Sequence, residues 1–215
     1  MKIRDRPVFT KSAAALARAG LTPNTISTIG LAVGILGGLA LASTVWTDND
    51  AVRRVLWFVA AGVVPIRGVF NILDGVVAVN ENIASPVGEL YNEVPDRISD
   101  MAMLIGAGYA VGAEPVLGFG AAVLAMFVAY VRAQARVAGA AQDYCGPMAK
   151  PGRVLLITLT ALWLAVTPAS WQLGWGPDKS WGLMAATLLV IMIGCVITAA
   201  RRLFRASRHL RRHAQ

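Results

Sequence analysis

Asn71-Ile72-Leu73-Asp74-Gly75-Val76-Val77-Ala78, followed by Gly88-Glu89-Leu90-Tyr91-Asn92-Glu93-Val94-Pro95-Asp96-Arg97-Ile98-Ser99-Asp100, is the stretch where this chain departs from its own composition. The acids and amides recur in steps of three and four, so each helix carries them as one stripe. The sequence around them is apolar over runs of roughly twenty residues. An ionised side chain at bilayer depth costs about 2.5–3.5 kcal/mol on insertion scales. Two such stripes on adjoining hydrophobic helices point to acids that hold cations or an anionic substrate, and the function is expected there.

Working outward, the chain has 215 residues, of which 56% are hydrophobic, well above the composition of a soluble domain. Six apolar runs are each long enough to cross a hydrocarbon core of about 30 Å. They lie at about 23–46, 54–80, 86–112, 115–138, 152–172 and 181–203. The expectation is an all-α polytopic membrane protein forming a single domain over 1–215. Residues 1–20 make an N-terminal interfacial amphipathic helix, 21–203 a six-helix bundle and 204–215 a basic cytoplasmic tail. No cleavable signal peptide is expected, because the first twenty residues lack a continuous apolar core. Thr22 and Pro23 read as the cap and first turn of the first span. Gly30, Gly34 and Gly38 in that span are spaced for close helix packing. The short connection between the second and third spans predicts antiparallel neighbours, with Ser85 and Pro86 starting the third.

The net charge is +8, and its distribution argues against nucleic acid as a partner. Lys2, Arg4, Arg6, Lys11 and Arg18 precede the first span, Lys150 and Arg153 separate the fourth and fifth, and six arginines from Arg201 to Arg212 follow the sixth. With six spans these clusters share one side, the cytoplasm by the positive-inside rule. Both termini are then cytoplasmic, and the polar stripes occupy the cytoplasmic half of the bundle. On the same side, Arg132 and Arg136 sit one helical turn apart. A Gly-Pro turn, Gly146-Pro147, leads to Lys150 and Arg153. These four cations suit an anionic phosphate, or they are topology-setting charge at helix ends. Cys145 and Cys195 lack a metal-type spacing and read as free thiols. His209 and His213 read as a solvated basic face.

The spacing of the two stripes resembles the CDP-alcohol phosphatidyltransferase family, whose motif D-x2-D-G-x2-A-R-x8-G-x3-D-x3-D spans the second and third of six membrane helices. Asp74, Gly75, Ala78, Gly88 and Asp96 match it in register. Asn71 stands for the first acid, Val79 for the arginine and Asn92 for the third acid. A divergent bacterial branch has asparagine at both of those acid positions and a downstream G-P-x2-K-x2-R, repeated here as Gly146-Pro147-x2-Lys150-x2-Arg153. The resemblance implies a bacterial inner-membrane enzyme of phospholipid biosynthesis, a homodimer. It would transfer a phosphatidyl group from a CDP-linked lipid such as CDP-diacylglycerol to a polar alcohol, with release of CMP.

On that resemblance a divalent cation, Mg²⁺ or Mn²⁺, is held by Asp74, Asn71, Asn92 and Asp96, with Asp96 also the catalytic base. Gly75, Ala78 and Gly88 line the nucleotide, and Arg132, Arg136, Lys150 and Arg153 take acceptor phosphate. Asparagine brings no charge to a cation, so Glu93 turns inward to supply it, or pairs with Arg97 one turn on; Glu89 lies beside Gly88. Three alternatives stand beside this reading. In the first, the acids form a buried network with Arg67 and Arg97. The second is a catalytically silent nucleotide- or lipid-binding protein of the same fold. The third is a transporter, which the lack of an inverted repeat disfavours.

Overall fold

The computed structural model of the chain describes residues 7–80, 86–172, 174–176 and 180–213. Side-chain environments are defined for these residues apart from 7–10, 17, 78–80, 86, 89, 169 and 213. Seven α-helices follow one another: α1 Pro7–Arg18, α2 Pro23–Ala42, α3 Asp50–Asn80, α4 Pro86–Gly108, α5 Pro115–Val137, α6 Lys150–Val166 and α7 Leu183–His213. Apart from an isolated bridge between Trp175 and Trp181, no strand occurs among the described residues.

The helix ends follow local chemistry. The Thr22 side chain accepts from the Thr25 N–H at 3.2 Å, and Pro23 opens α2, the cap expected from sequence. The first span is shorter as an α-helix than expected, because Ser43–Trp46 tightens into a 3-10 turn. Helix α6 stops at Val166 rather than near 172. Thr167 is extended, at φ −87° and ψ 144°, as the residue before Pro168 must be. In the opposite sense, α7 runs on through the basic stretch to His213, with no proline to end it. The expected tail at 204–215 is thus helical over its described part. The Ser85 cap lies outside the described residues, as does the rest of 81–85.

Among the described residues four helical segments are long and apolar enough to cross a membrane: Pro23–Trp46, Asp50–Val77, Pro115–Val137 and Leu183–Arg212. That differs from the six spans expected. Helix α6 has 17 residues, and α4 carries Glu89, Glu93, Asp96, Arg97 and Asp100. The charged stripe itself therefore removes α4 from the set.

Helix packing closes a ring in which α2 touches α3 and α4, α4 touches α5, α5 touches α7, α7 touches α6 and α6 touches α3. Helix α1 lies against α3, where Ala13 and Leu16 meet Leu73, Val76 and Val77. Trp57, Val64, Met103, Ile157, Met184, Leu188 and Ile191 fill the interior, while Leu36, Val123 and Ile193 face outward. The expectation that α3 and α4 are direct neighbours needs correction. Each has α2 as its most extensive partner and touches the other little, so α2 separates them along much of their length.

Small residues are the reason. A side chain at Gly34 would collide with Ser99, and one at Gly38 with the Ala102 carbonyl, while Gly30 lies against Phe70 and Arg67. The α2 stripe thus admits α4 on one side and α3 on the other. Gly38→Val is expected to lower the thermal unfolding temperature in detergent, since overpacking costs typically about 1–3 kcal/mol. Gly62→Ala, where the added carbon meets nothing within 4 Å, is expected to leave it unchanged or slightly higher.

Candidate active site

Beyond the separating helix, toward the end where α3 finishes and α4 begins, the two polar stripes meet. Asn71 Nδ2 donates to Asn92 Oδ1 at 3.2 Å, and Asn92 Nδ2 donates to Asp74 Oδ1 at 3.4 Å. Asp74 is buried at 1% exposure. It also accepts from the Gly75 N–H at 2.6 Å and from Ser27 Oγ of α2 at 2.7 Å. Its carboxylate is therefore anchored on three elements. Ser27 escaped the sequence reading, although it continues the Gly30-Gly34-Gly38 stripe one turn earlier and is the hydroxyl in that line.

One turn deeper, Arg67 of α3 crosses to α4. Its Nη2 donates to Asp96 Oδ1 at 2.7 Å and its Nε to Ser99 Oγ at 2.8 Å. Both Arg67 and Asp96 are buried. Lys150, at the start of α6, makes an ion pair with the same Asp96 oxygen, and Arg97 approaches Asp96 Oδ2 at 3.4 Å. Three cations thus surround one buried carboxylate, more than balancing the charge it would carry. Ser99 is a second residue the sequence reading did not single out.

Glu93 lies on the rim. It accepts from Arg97 at 2.6 and 3.0 Å and from Arg132 of α5 at 2.5 Å. The i, i+4 pair with Arg97 is present, extended to a second arginine. Arg132 also sits 5.2 Å from the centre of the Tyr144 ring, within cation–π range. Arg136 is exposed further along α5, and Gly88 is partly buried near the start of α4. The side chains of Ala78, Val79 and Glu89 lie outside the described residues.

Arg153, read from sequence as a phosphate-binding cation or as topology-setting charge at a helix end, is 2% exposed. It forms an ion pair with Asp100 of α4 and donates from Nη1 to the Met148 carbonyl at 2.7 Å. Removing one member of a buried pair strands the other charge. Arg153→Met is therefore expected to destabilise the fold by about 3–5 kcal/mol, and Arg153→Met with Asp100→Asn to recover part of the loss, both read by chemical unfolding.

The loop between α5 and α6 is a shaped turn. Gly146 has φ +121°, and a side chain there would strike Thr198 of α7. Met148 N–H donates to Thr198 Oγ1 at 3.0 Å, Arg202 donates to the Cys145 carbonyl at 2.9 Å, and Arg205 reaches Asp143 at 3.0 Å. Slight burial pushes the Asp143 carboxyl up. The thiol and N–H of Cys145, with Arg205 and Arg202, more than offset this and hold it below the usual carboxylate range. Both cysteines are free thiols.

The Asp74 carboxylate and the amide oxygens of Asn71 and Asn92 are ligands of the kind a hard cation such as Mg²⁺ or Mn²⁺ takes. Asn92 turns Nδ2 to Asp74 and Asn71 turns Nδ2 to Asn92, so each amide must rotate to offer its oxygen to an ion. Among the described residues no three His, Cys, Asp or Glu side chains come together as a metal site. The set that fits is one carboxylate, Asp74, with the amide oxygens of Asn71 and Asn92.

No family model matches the chain. It is 25% identical over 185 residues to the phosphatidylinositol phosphate synthase of Mycobacteroides abscessus, covering 83% of this chain and 78% of that protein. It is 31% identical over 112 residues to cholinephosphotransferase 1 of Bos taurus, where it spans only 28% of the relative's length and the match takes in 51% of this chain. The fold superposes on the crystal structure of Mycobacterium tuberculosis phosphatidylinositol phosphate synthase with CDP-DAG bound, at TM-score 0.73 and 22% identity over 94% of each chain. The same protein has also been solved in complex with manganese and citrate, TM-score 0.71 at 23% identity over 92% of this chain and 88% of that one.

The chain is thus similar to phosphatidylinositol phosphate synthases over most of its length and to a cholinephosphotransferase over about half of it. The residues read from sequence as the motif, Asp74, Gly75, Ala78, Gly88 and Asp96, stand in register, with asparagine at 71 and 92. The structure brings Asn71, Asp74 and Asn92 into one hydrogen-bonded chain and places Asp96 beside them. Lys150, Arg132 and Arg153 each lie against a separate acid.

Proposed function

We propose that this protein transfers the phosphatidyl group of a CDP-linked lipid such as CDP-diacylglycerol to a polar alcohol, releasing CMP, as a step in phospholipid synthesis. The observation that carries the reading is the juxtaposition of Asp74, bonded to Asn92 and through it to Asn71, with a buried Asp96 paired to Arg67 on the facing helix. A divalent cation, Mg²⁺ or Mn²⁺, held by Asp74 with Asn71 and Asn92, supplies positive charge against the pyrophosphate. Asp96 accepts the proton of the acceptor hydroxyl. The alcohol oxygen bonds to the lipid-side phosphorus while the bond to CMP breaks. Gly75 and Gly88 let a nucleotide approach the backbone. Lys150 and Arg67 fix the orientation of Asp96, and Arg132 and Arg136 line the path by which the alcohol enters.

The same reading places six spans in the membrane, with α4 turning Leu90, Val94 and Ile98 outward and α6 turning Leu155, Leu159 and Trp163 outward. Helix α1 lies at the interface, both termini are in the cytoplasm, and the protein is a homodimer of the bacterial inner membrane. The excess of arginine and lysine at one end of the bundle supports that topology.

The second reading, a nucleotide- or lipid-binding protein without turnover, draws on Asn71, Val79 and Asn92. One experiment separates the two. Purified protein with radiolabelled CDP-diacylglycerol and Mn²⁺ is expected to release CMP only when a polar alcohol is added, across a panel including glycerol phosphate, inositol phosphate, serine and choline. Saturable binding of the lipid with no CMP from any alcohol overturns the enzyme.

A further inference from the structure

We propose that the site works with one divalent cation, seated on Asp74, and that Arg67 and Lys150 occupy the electrostatic place of a second. This deepens the transferase reading and rests on it. The two halves of the site differ in what already balances their charge. Asp74 is held by neutral donors alone: the Ser27 hydroxyl, the Gly75 N–H and the Asn92 amide. Its negative charge is solvated by these dipoles, and among the described residues it meets no side-chain cation at hydrogen-bond distance. Such a carboxylate attracts a cation from solution.

Asp96 stands in the opposite condition. Arg67 at 2.7 Å, Lys150 on the same oxygen and Arg97 at 3.4 Å bring three positive charges to a single carboxylate. An ion placed at Asp96 would face all three at short range. Like charges in a partly desolvated cleft repel strongly. Nor do the nearby acids among the described side chains help: Glu93 is bound to Arg97 and Arg132, and Asp100 to Arg153. Asparagine at 71 and 92 removes the charge that two divalent ions would need between the helices.

Arg67 is suited to a permanent role. It is 1% exposed, projects from the same stripe as Asn71 and Asp74, and is locked by Ser99 as well as Asp96. The guanidinium is always charged, so unlike a dissociable ion it holds Asp96 in place whether or not substrate is present. Arg67 is thus a positioning residue.

The test counts ions. Purified full-length protein in detergent is titrated with Mn²⁺ alone, and bound ion is measured by electron paramagnetic resonance and equilibrium dialysis. The expected result is one Mn²⁺ per chain, without the spectral coupling of a close ion pair. Asp74→Asn is expected to bind none, and Asp96→Asn still one. Two ions per chain, an ion retained by Asp74→Asn, or loss of the ion in Asp96→Asn overturns the proposal. CMP release on the same preparation reports on the parent reading independently. Turnover with two bound ions refutes the single-ion site and leaves the transferase intact. One bound ion with no turnover from any alcohol refutes the transferase and leaves the ion count standing.

Discussion

Asp96→Asn is expected to lower the rate of CMP release by at least about 100-fold, the lower end of what a positioned base contributes. Asparagine keeps an acceptor oxygen for Arg67 and Lys150, so the α3–α4–α6 junction that Asp96 organises can still assemble. It loses the charge that matched those cations, so some stability is lost as well. The rate is therefore measured per folded molecule, alongside binding of the CDP-linked lipid. Loss of turnover with retained binding assigns Asp96 to the proton transfer. A variant that turns over near the wild-type rate removes Asp96 from that role.

Asp74→Ala is expected to abolish both turnover and the stabilisation that Mn²⁺ or Mg²⁺ confers on the folded protein. A ligand at a hundredfold excess over its Kd stabilises by about 2.7 kcal/mol, and that increment should vanish. The variant also leaves the Ser27 hydroxyl and the Asn92 amide without their shared acceptor. An unpaired buried donor costs about 1–3 kcal/mol, so the metal-free baseline drops too. The two effects separate cleanly, because only the difference between melting with and without the ion reports the site. An unchanged metal-dependent shift in Asp74→Ala would move the ion elsewhere.

Much of the architecture was legible before any coordinates. Apolar runs and their punctuation placed the helices, with Thr22-Pro23 opening α2 and Gly-Pro turning the chain before α6. The departures from the expected pattern have local causes. Thr167-Pro168 ends α6 early because a residue before proline avoids helix. Helix α4 fails the apolarity of a free-standing span because it carries the charged stripe. The α2 glycines were legible as a packing stripe. The consequence that α2 stands between α3 and α4 was not, since a stripe says that helices come close without saying which ones.

For the candidate site the division is sharper. Helical periodicity fixes which residues share a face, so the sequence by itself determined that Asn71 and Asp74 lie in line, and likewise Gly88, Asn92, Asp96 and Asp100. It also offered the pairing of Glu93 with Arg97, four residues apart on one helix, as one of two possibilities, and the structure forms it. Partners across helices depend on rotation and register, which no spacing within a single helix encodes. Only the tertiary structure decided that Arg153 turns inward to Asp100 and that Lys150 reaches Asp96. The same holds for Ser27, which closes over Asp74 from a third helix. A buried charge must find its partner in space, because water is not there to supply it.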